Sequence, residues 1–137
     1  MSQMIVLDNE AVTALRDPAH SKHRRVVSHL QIVAGRKHQA LQVTAVVPTS
    51  IRVEAGWDRT SSVWAFPNRL RITDAPLDWR FANVAAAIRQ RTNVSVADAH
   101  IGSVVESATA DRVVIVTSDP DDMQAVAGTN SVTIVTI

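Results

Sequence analysis

At 137 residues the chain has room for one domain with a substantial core and not for two comfortable ones. An apolar share of 46% suits an ordinary globular protein; the lack of cysteine excludes disulfides and thiolate metal sites; no apolar run approaches the roughly 20 residues of a membrane span. The formal charge of +1 conceals an uneven layout, with no Asp or Glu from Pro18 to Val53 and with Lys22, Arg24, Arg25, Arg36, Lys37, Arg52 and four of the five histidines inside that stretch.

Asp8, Glu10 and Arg16 so near the start do not make a signal peptide, and a cytoplasmic protein is expected. Met4 to Leu7 is a short apolar run ending in Asp8, which predicts a buried strand. Asn9 to Leu15 then reads as helix. A second helix is expected from Asp17-Pro18 to about Ala34, with Val26, Val27, Leu30 and Val33 or Ala34 at helical spacing and Gly35 as its terminator. Gln42 to Val47 predicts the second strand. Pro48 to Trp57 predicts a helix with proline at its favoured first position.

Asp58 to Pro67 reads as a short helix and loop, and Leu70 to Thr73 as a third strand. Pro76 to Arg91 predicts a helix with Leu77, Phe81, Val84 and Ile88 on one face; Ser95 opens another, to about Ala110. Val113 to Thr117 is a strand, Pro120 to Val126 a short helix, and Val132 to Ile137 a last strand. Strands alternating with helices imply βαβ units in one domain over 1–137, with a mainly parallel sheet of four to five strands covered on both faces.

In such a sheet, function gathers at the carboxyl ends of the strands. Asp8 and Asp119 each follow a strand there, Glu54 sits in the helix after the second strand, and Asp98 lies in the first turn of the helix beginning at Ser95. Three of these acids also have a plain structural role open to them. Asp8 and Asp119 are good helix N-caps, and Ser95-Val96-Ala97-Asp98 is a capping box. Glu54 is too deep in its helix to cap it. Several carboxylates meeting in one crevice stay ionised together only with a cation among them, and an all-oxygen set selects Mg2+ or Mn2+ over zinc. Setting those four acids aside leaves a clearly basic body, which suits a polyanionic substrate, although the same charges also serve as a solvated helix face.

Other chemistries fit less well. A phosphoacceptor receiver domain needs a late lysine, and none follows Lys37; a haloacid-dehalogenase-type phosphatase needs Asp-x-Asp, where this chain has Asp8-Asn9-Glu10. Glycines stand only at 35, 56, 102 and 128, so no phosphate loop or dinucleotide fingerprint is present. His20-x-x-His23 is too short a pattern for a metal site, and Ser118 has no histidine near it in sequence.

The blocks IVLDNEAVTAL (5–15), VVPTSIRVEAGWDR (46–59), VSVADAHIGSVV (94–105) and VVIVTSDPDDM (113–123), in this order and spacing, resemble a PIN domain. More closely, they resemble the VapC-type toxin ribonucleases of type II toxin–antitoxin systems. The resemblance spans nearly the whole chain. It implies a three-layer α/β/α sandwich and a Mg2+- or Mn2+-dependent endoribonuclease in which Asp8, Glu54, Asp98 and Asp119 hold the metal. Asp122 is then a further contact, and Thr117 stands at the hydroxyl position beside the site. Lys22, Arg24, Arg25, Arg52 and Arg59 are expected to hold the RNA backbone. A cognate antitoxin and a homodimer are the implied partners. Where many relatives carry Arg, this chain has Ser118, which puts one contact to substrate or antitoxin in doubt. The alternative from another class is a non-catalytic PIN module that binds RNA or a protein partner.

Overall fold

Runs rich in Val, Ile and Thr form strands in five places: β1 (Ser2–Leu7), β2 (Gln42–Pro48), β3 (Ile72–Ala75), β4 (Arg112–Thr117) and β5 (Thr133–Thr136). The computed structural model describes residues 1–35 and 42–137; Arg36, Lys37 and His38 of the basic stretch lie outside the described residues. All strand neighbours are parallel, in the order β3-β2-β1-β4-β5. The central strand β1 is covered on both faces, so Ile5, Val6 and Leu7 are buried in succession rather than alternately.

The helices are α1 (Asn9–Arg16), α2 (His23–Gly35), α3 (Thr49–Ala55), α4 (Ala65–Arg69), α5 (Trp79–Thr92), α6 (Val96–Ser107) and α7 (Pro120–Ala127). From β1 the chain proceeds outward through β2 to β3, then returns to the other side of β1 for β4 and β5. With right-handed crossovers, that reversal assigns α1 to α4 to one face and α5 to α7 to the other. The packing agrees: α1 touches α2, α3 and α4, whereas α6 touches α5 and α7. Helix α3 also meets α6. Leu7, Leu15, Ile51, Ile101, Ile115 and Met123 are fully buried in the core, each stabilising the fold by about 1.5–3 kcal/mol through burial.

Several boundaries differ from the sequence expectation, each for a local reason. The second helix begins at His23 and not at Asp17. The Asp17 carboxylate accepts from Ala19 N (2.9 Å) and its carbonyl from His20 N (2.9 Å), which turns the chain before the helix starts. Pro48 ends β2 and precedes α3 instead of opening it, and α3 stops at Ala55 because Gly56 takes a left-handed conformation (φ 73°). The third strand starts at Ile72. Helix α5 starts after Asp78, whose Oδ1 accepts from Arg80 N and Phe81 N at 3.0 Å each, leaving Leu77 outside the helix. Helix α6 ends at Ser107. No helix among the described residues is long and apolar enough to cross a membrane.

Candidate metal centre

The strand order reverses between β1 and β4, so the crevice at their carboxyl ends is the switch point where such sheets place ligands. Leu7 pairs with Val116 in the ladder, so the next residues, Asp8 just past β1 and Thr117 at the end of β4, stand side by side. Asp8 caps α1: its backbone is extended and Oδ1 accepts from Ala11 N at 2.9 Å. Its Oδ2 accepts from Thr117 Oγ1 at 2.6 Å and from Ser118 N at 3.2 Å. Thr117 is itself fully buried, and its Oγ1 accepts from Asp119 N at 2.9 Å. One hydroxyl therefore ties the acid after β1 to the backbone of the acid after β4.

Asp8 is only 6% exposed, and burial raises its carboxyl above the usual carboxylate range. The hydrogen bonds from Thr117, Ala11 and Ser118 pull the other way, and the charge of Glu10 adds to the rise. Asp98, half-buried in the first turn of α6, is pushed up to about 6. Desolvation is the largest cause, followed by the charge of Asp122; a hydrogen bond from Ser95 opposes the rise, and the charges of Glu54 and Asp8 reinforce it. Asp122 is raised first by a hydrogen bond to the Asp119 side chain, which favours its protonated form, and then by burial and the charges of Asp119 and Asp121.

These influences locate the predicted acids. Asp8, Glu54 and Asp122 all act on Asp98, and Asp119 stands against Asp122, its Oδ1 accepting from Asp122 N at 3.4 Å as the cap of α7. Glu54 is exposed near the end of α3. Among the described residues, no three His, Asp or Glu side chains stand close enough, as placed, to enclose one ion. The donor set nonetheless fits Mg2+ or Mn2+. These are hard ions; Mg2+ keeps several waters and takes only one or two carboxylates directly, so it does not require three of them close together. Next to Asp8 in sequence, the Asn9 side-chain oxygen is buried without a hydrogen-bond partner.

The basic residues expected to hold RNA fall into two groups. Arg24 and Arg25 are exposed on α2, while Lys22 lies 3.5 Å from Glu10, which His20 also approaches at 3.3 Å. Arg52 and Arg59 are engaged elsewhere: each meets the Asp74 carboxylate at 2.9 Å, and Arg59 also stacks 4.5 Å over the Trp57 ring. They brace the corner between α3 and β3.

Sequence reasoning passed over His100. It is fully buried on α6, its Nδ1 lies 2.6 Å from Ser50 Oγ on α3, and its Nε2 has no hydrogen-bond partner. Burial holds its pKa down, with the Pro76 carbonyl and the charge of Asp78 opposing. A signal existed: His100 is the one histidine outside the basic stretch, and it stands between the apolar Ala99 and Ile101, two residues after Asp98.

No protein-family model matches the chain, and no curated protein matches it either. Two solved structures do. A structure of VapBC2 from Rickettsia felis, bound to a DNA fragment from its promoter, aligns with a TM-score of 0.63 at 11% identity over 98% of both chains. A structure of FitAB bound to the IR36 DNA fragment aligns with a TM-score of 0.58 at 17% identity, over 97% of this chain and 94% of the other. At these identities the likeness is one of fold, and the fold is a PIN-like three-layer α/β/α sandwich around a five-stranded parallel sheet.

Proposed function

We propose that this chain is a Mg2+- or Mn2+-dependent endoribonuclease, the toxin of a VapBC-type pair, whose partners are RNA, an antitoxin protein and a second copy of itself. The observation that carries this proposal is the acid cluster at the switch point. A buried Asp8 is locked to Thr117 across the crevice between β1 and β4, the charges of Asp122, Glu54 and Asp8 reach Asp98, and Asp119 bonds to Asp122. Ordinary helix capping accounts for Asp8 and Asp119 singly. It gives no reason to bring Asp122, Glu54 and Asp8 near enough to raise Asp98.

In this proposal Asp8, Asp98, Asp119 and Glu54 hold the cation, with Asp122 a further contact. When bound, such an ion activates water as a nucleophile and stabilises the charge that develops on a phosphodiester. The chain's own groups prepare that state. Thr117 orients the Asp8 carboxylate and exposes only part of it. Asp98 must lose its proton before it can serve as a ligand, so loading strengthens as pH rises through about 6. Arg24, Arg25 and Lys22 supply positive charge on the α2 side for the RNA backbone. The FitAB and VapBC2 likenesses support an antitoxin partner for this chain.

The test is cleavage of single-stranded and structured RNA in Mg2+ or Mn2+, with and without EDTA, by wild type, Asp8→Asn and Asp98→Asn. Metal-dependent cleavage by wild type alone supports the proposal. Equal activity in all three proteins would mean a contaminant. The second reading, a non-catalytic module that binds RNA or protein, draws on the spacing of the acids, none of which form a closed group of three. RNA binding without any cleavage would favour it.

A further inference from the structure

Next to the acids runs a groove of about 430 Å3, within the roughly 300–1,000 Å3 usual for small-molecule sites. Thr49, Ser50 and Val53 of α3 form one wall, Leu77 lies at one end, and Ser95 and Val96 at the start of α6 form the other wall. Val53 is 82% exposed and Val96 49%, so two β-branched side chains on separate helices are left facing solvent. Isolated exposed apolar residues need no explanation, but a pair on opposite walls of one groove suggests a flat apolar occupant.

The polar groups of the groove are fixed. Thr49 Oγ1 accepts from Leu77 N at 3.1 Å, and Ser95 Oγ accepts from Asp98 N at 3.1 Å. Ser50 Oγ is held at 2.6 Å by His100 Nδ1, itself fully buried. In either tautomer of the neutral imidazole, Ser50 Oγ keeps at least one lone pair for a ligand. With the Glu54 carboxylate also in the wall, the groove offers acceptors between apolar sides.

We infer that this groove binds an unpaired nucleobase of the RNA substrate, selecting bases with an exocyclic amino group (adenine, cytosine or guanine) over uracil. This inference rests on the ribonuclease proposal and extends it to substrate choice. A base has two apolar faces to lie between Val53 and Val96, and an amino group supplies the N–H donors that Ser50 and Glu54 accept. Uracil has only its ring N3–H to donate there, and the carbonyls on either side of it would face the same acceptors. Ser95 caps the helix that carries Asp98 three residues later, so the occupied groove adjoins the acids. Single-stranded RNA is read in this way, by splayed bases stacked on side chains and bonded at their edges. An apolar peptide would leave the fixed acceptors unpaired.

The experiment uses protein with 13C-methyl valine in Mg2+, titrated with adenosine, cytidine, guanosine and uridine and followed by NMR. The expected result is movement of the Val53 and Val96 methyl resonances, with uridine at least about tenfold weaker than the best nucleoside. Ser50→Ala should erase that preference, and the surface change Val53→Asp, which leaves the core untouched, should weaken binding by all four. Unmoved methyls, equal response to uridine, or movement only with an apolar peptide overturns the inference. The two levels separate cleanly. Selective methyl shifts in a protein that cuts no RNA uphold the base site and sink the catalytic proposal. Metal-dependent cleavage with unmoved methyls and no base preference does the reverse.

Discussion

Replacing Asp98 by Asn should make the metal-free protein more stable. In the fold Asp98 has a carboxyl pKa of about 6, against an ordinary value of 3.8. Below the ordinary value both folded and unfolded chains hold the proton, and the residue has no effect. As pH rises toward 6 the unfolded chain releases the proton while the folded chain keeps it, so stability falls; above 6 the penalty is complete. That difference corresponds to about 3 kcal/mol, and solvent screening of a half-buried group reduces it to about 1.5 kcal/mol. Asn keeps the shape and removes the charge, but it gives up about 0.5 kcal/mol of favourable interaction with the N-terminus of α6. The net gain of about 1 kcal/mol at pH 8 raises Tm by roughly 3–5 °C in a domain of this size. Thermal unfolding in EDTA measures it, and near pH 4 the advantage should vanish. Mn2+ at on the order of a hundred times Kd should then stabilise wild type by about 2.7 kcal/mol and the variant by much less, inverting their order. A variant less stable than wild type in EDTA at pH 8, or one that gains as much from Mn2+, would refute the reasoning.

Thr117→Val removes the hydroxyl that bridges Asp8 Oδ2 and Asp119 N; it should destabilise the fold by about 1–3 kcal/mol in urea unfolding and weaken Mn2+ binding. Gly102→Ala should cost about 1–3 kcal/mol by the same assay, because a Cβ there would lie 2.8 Å from both Ile88 Cδ1 and the Val126 carbonyl oxygen. Mn2+ affinity measured by calorimetry should rise steeply between pH 5 and 7 (roughly one unit either side of the Asp98 pKa) and flatten above, since the carboxylates must be deprotonated to bind. Arg24→Ala and Arg25→Ala should each weaken RNA binding and reduce the salt slope by about one, measured by fluorescence anisotropy. Arg59→Ala should instead lower Tm, because its guanidinium holds Asp74 and the Ile72 carbonyl.

Most of the frame was legible because β1 and β4 are buried on both faces. Their apolar runs, with an acid directly after the first (Asp8) and two residues past the end of the second (Asp119), mark strand ends that alternation would have blurred. Asp8 and Asp119 could be placed from that pattern alone; Thr117 was singled out through the resemblance. Helix starts were less legible where a side chain competed with the helix for backbone donors. Asp17 forms its own turn, and Asp78 caps two residues after the proline that seemed to open α5. Long-range charge pairs were not legible at all. Nothing local in Asp74 announces that it will draw in Arg52 and Arg59 from another element, so residues expected to hold RNA turned out to brace a corner. The Ser50–His100 contact spans fifty positions and depends on α3 meeting α6, a matter of packing and not of motif. Gly102 is similar: its cost in mid-helix is visible in sequence, but the close approach of Ile88 and Val126 that demands it is not.

The central claim is that acids from four separate segments hold one divalent cation at the crevice between β1 and β4. Crystals soaked in Mn2+ and measured at the manganese absorption edge test it most directly. The account predicts an anomalous peak bounded by the carboxylates of Asp8, Asp98 and Asp119, with Glu54 or Asp122 reached directly or through water, and no such peak in Asp98→Asn crystals. A map with no peak in that crevice at saturating Mn2+, or with its strongest peak among other residues, would contradict it.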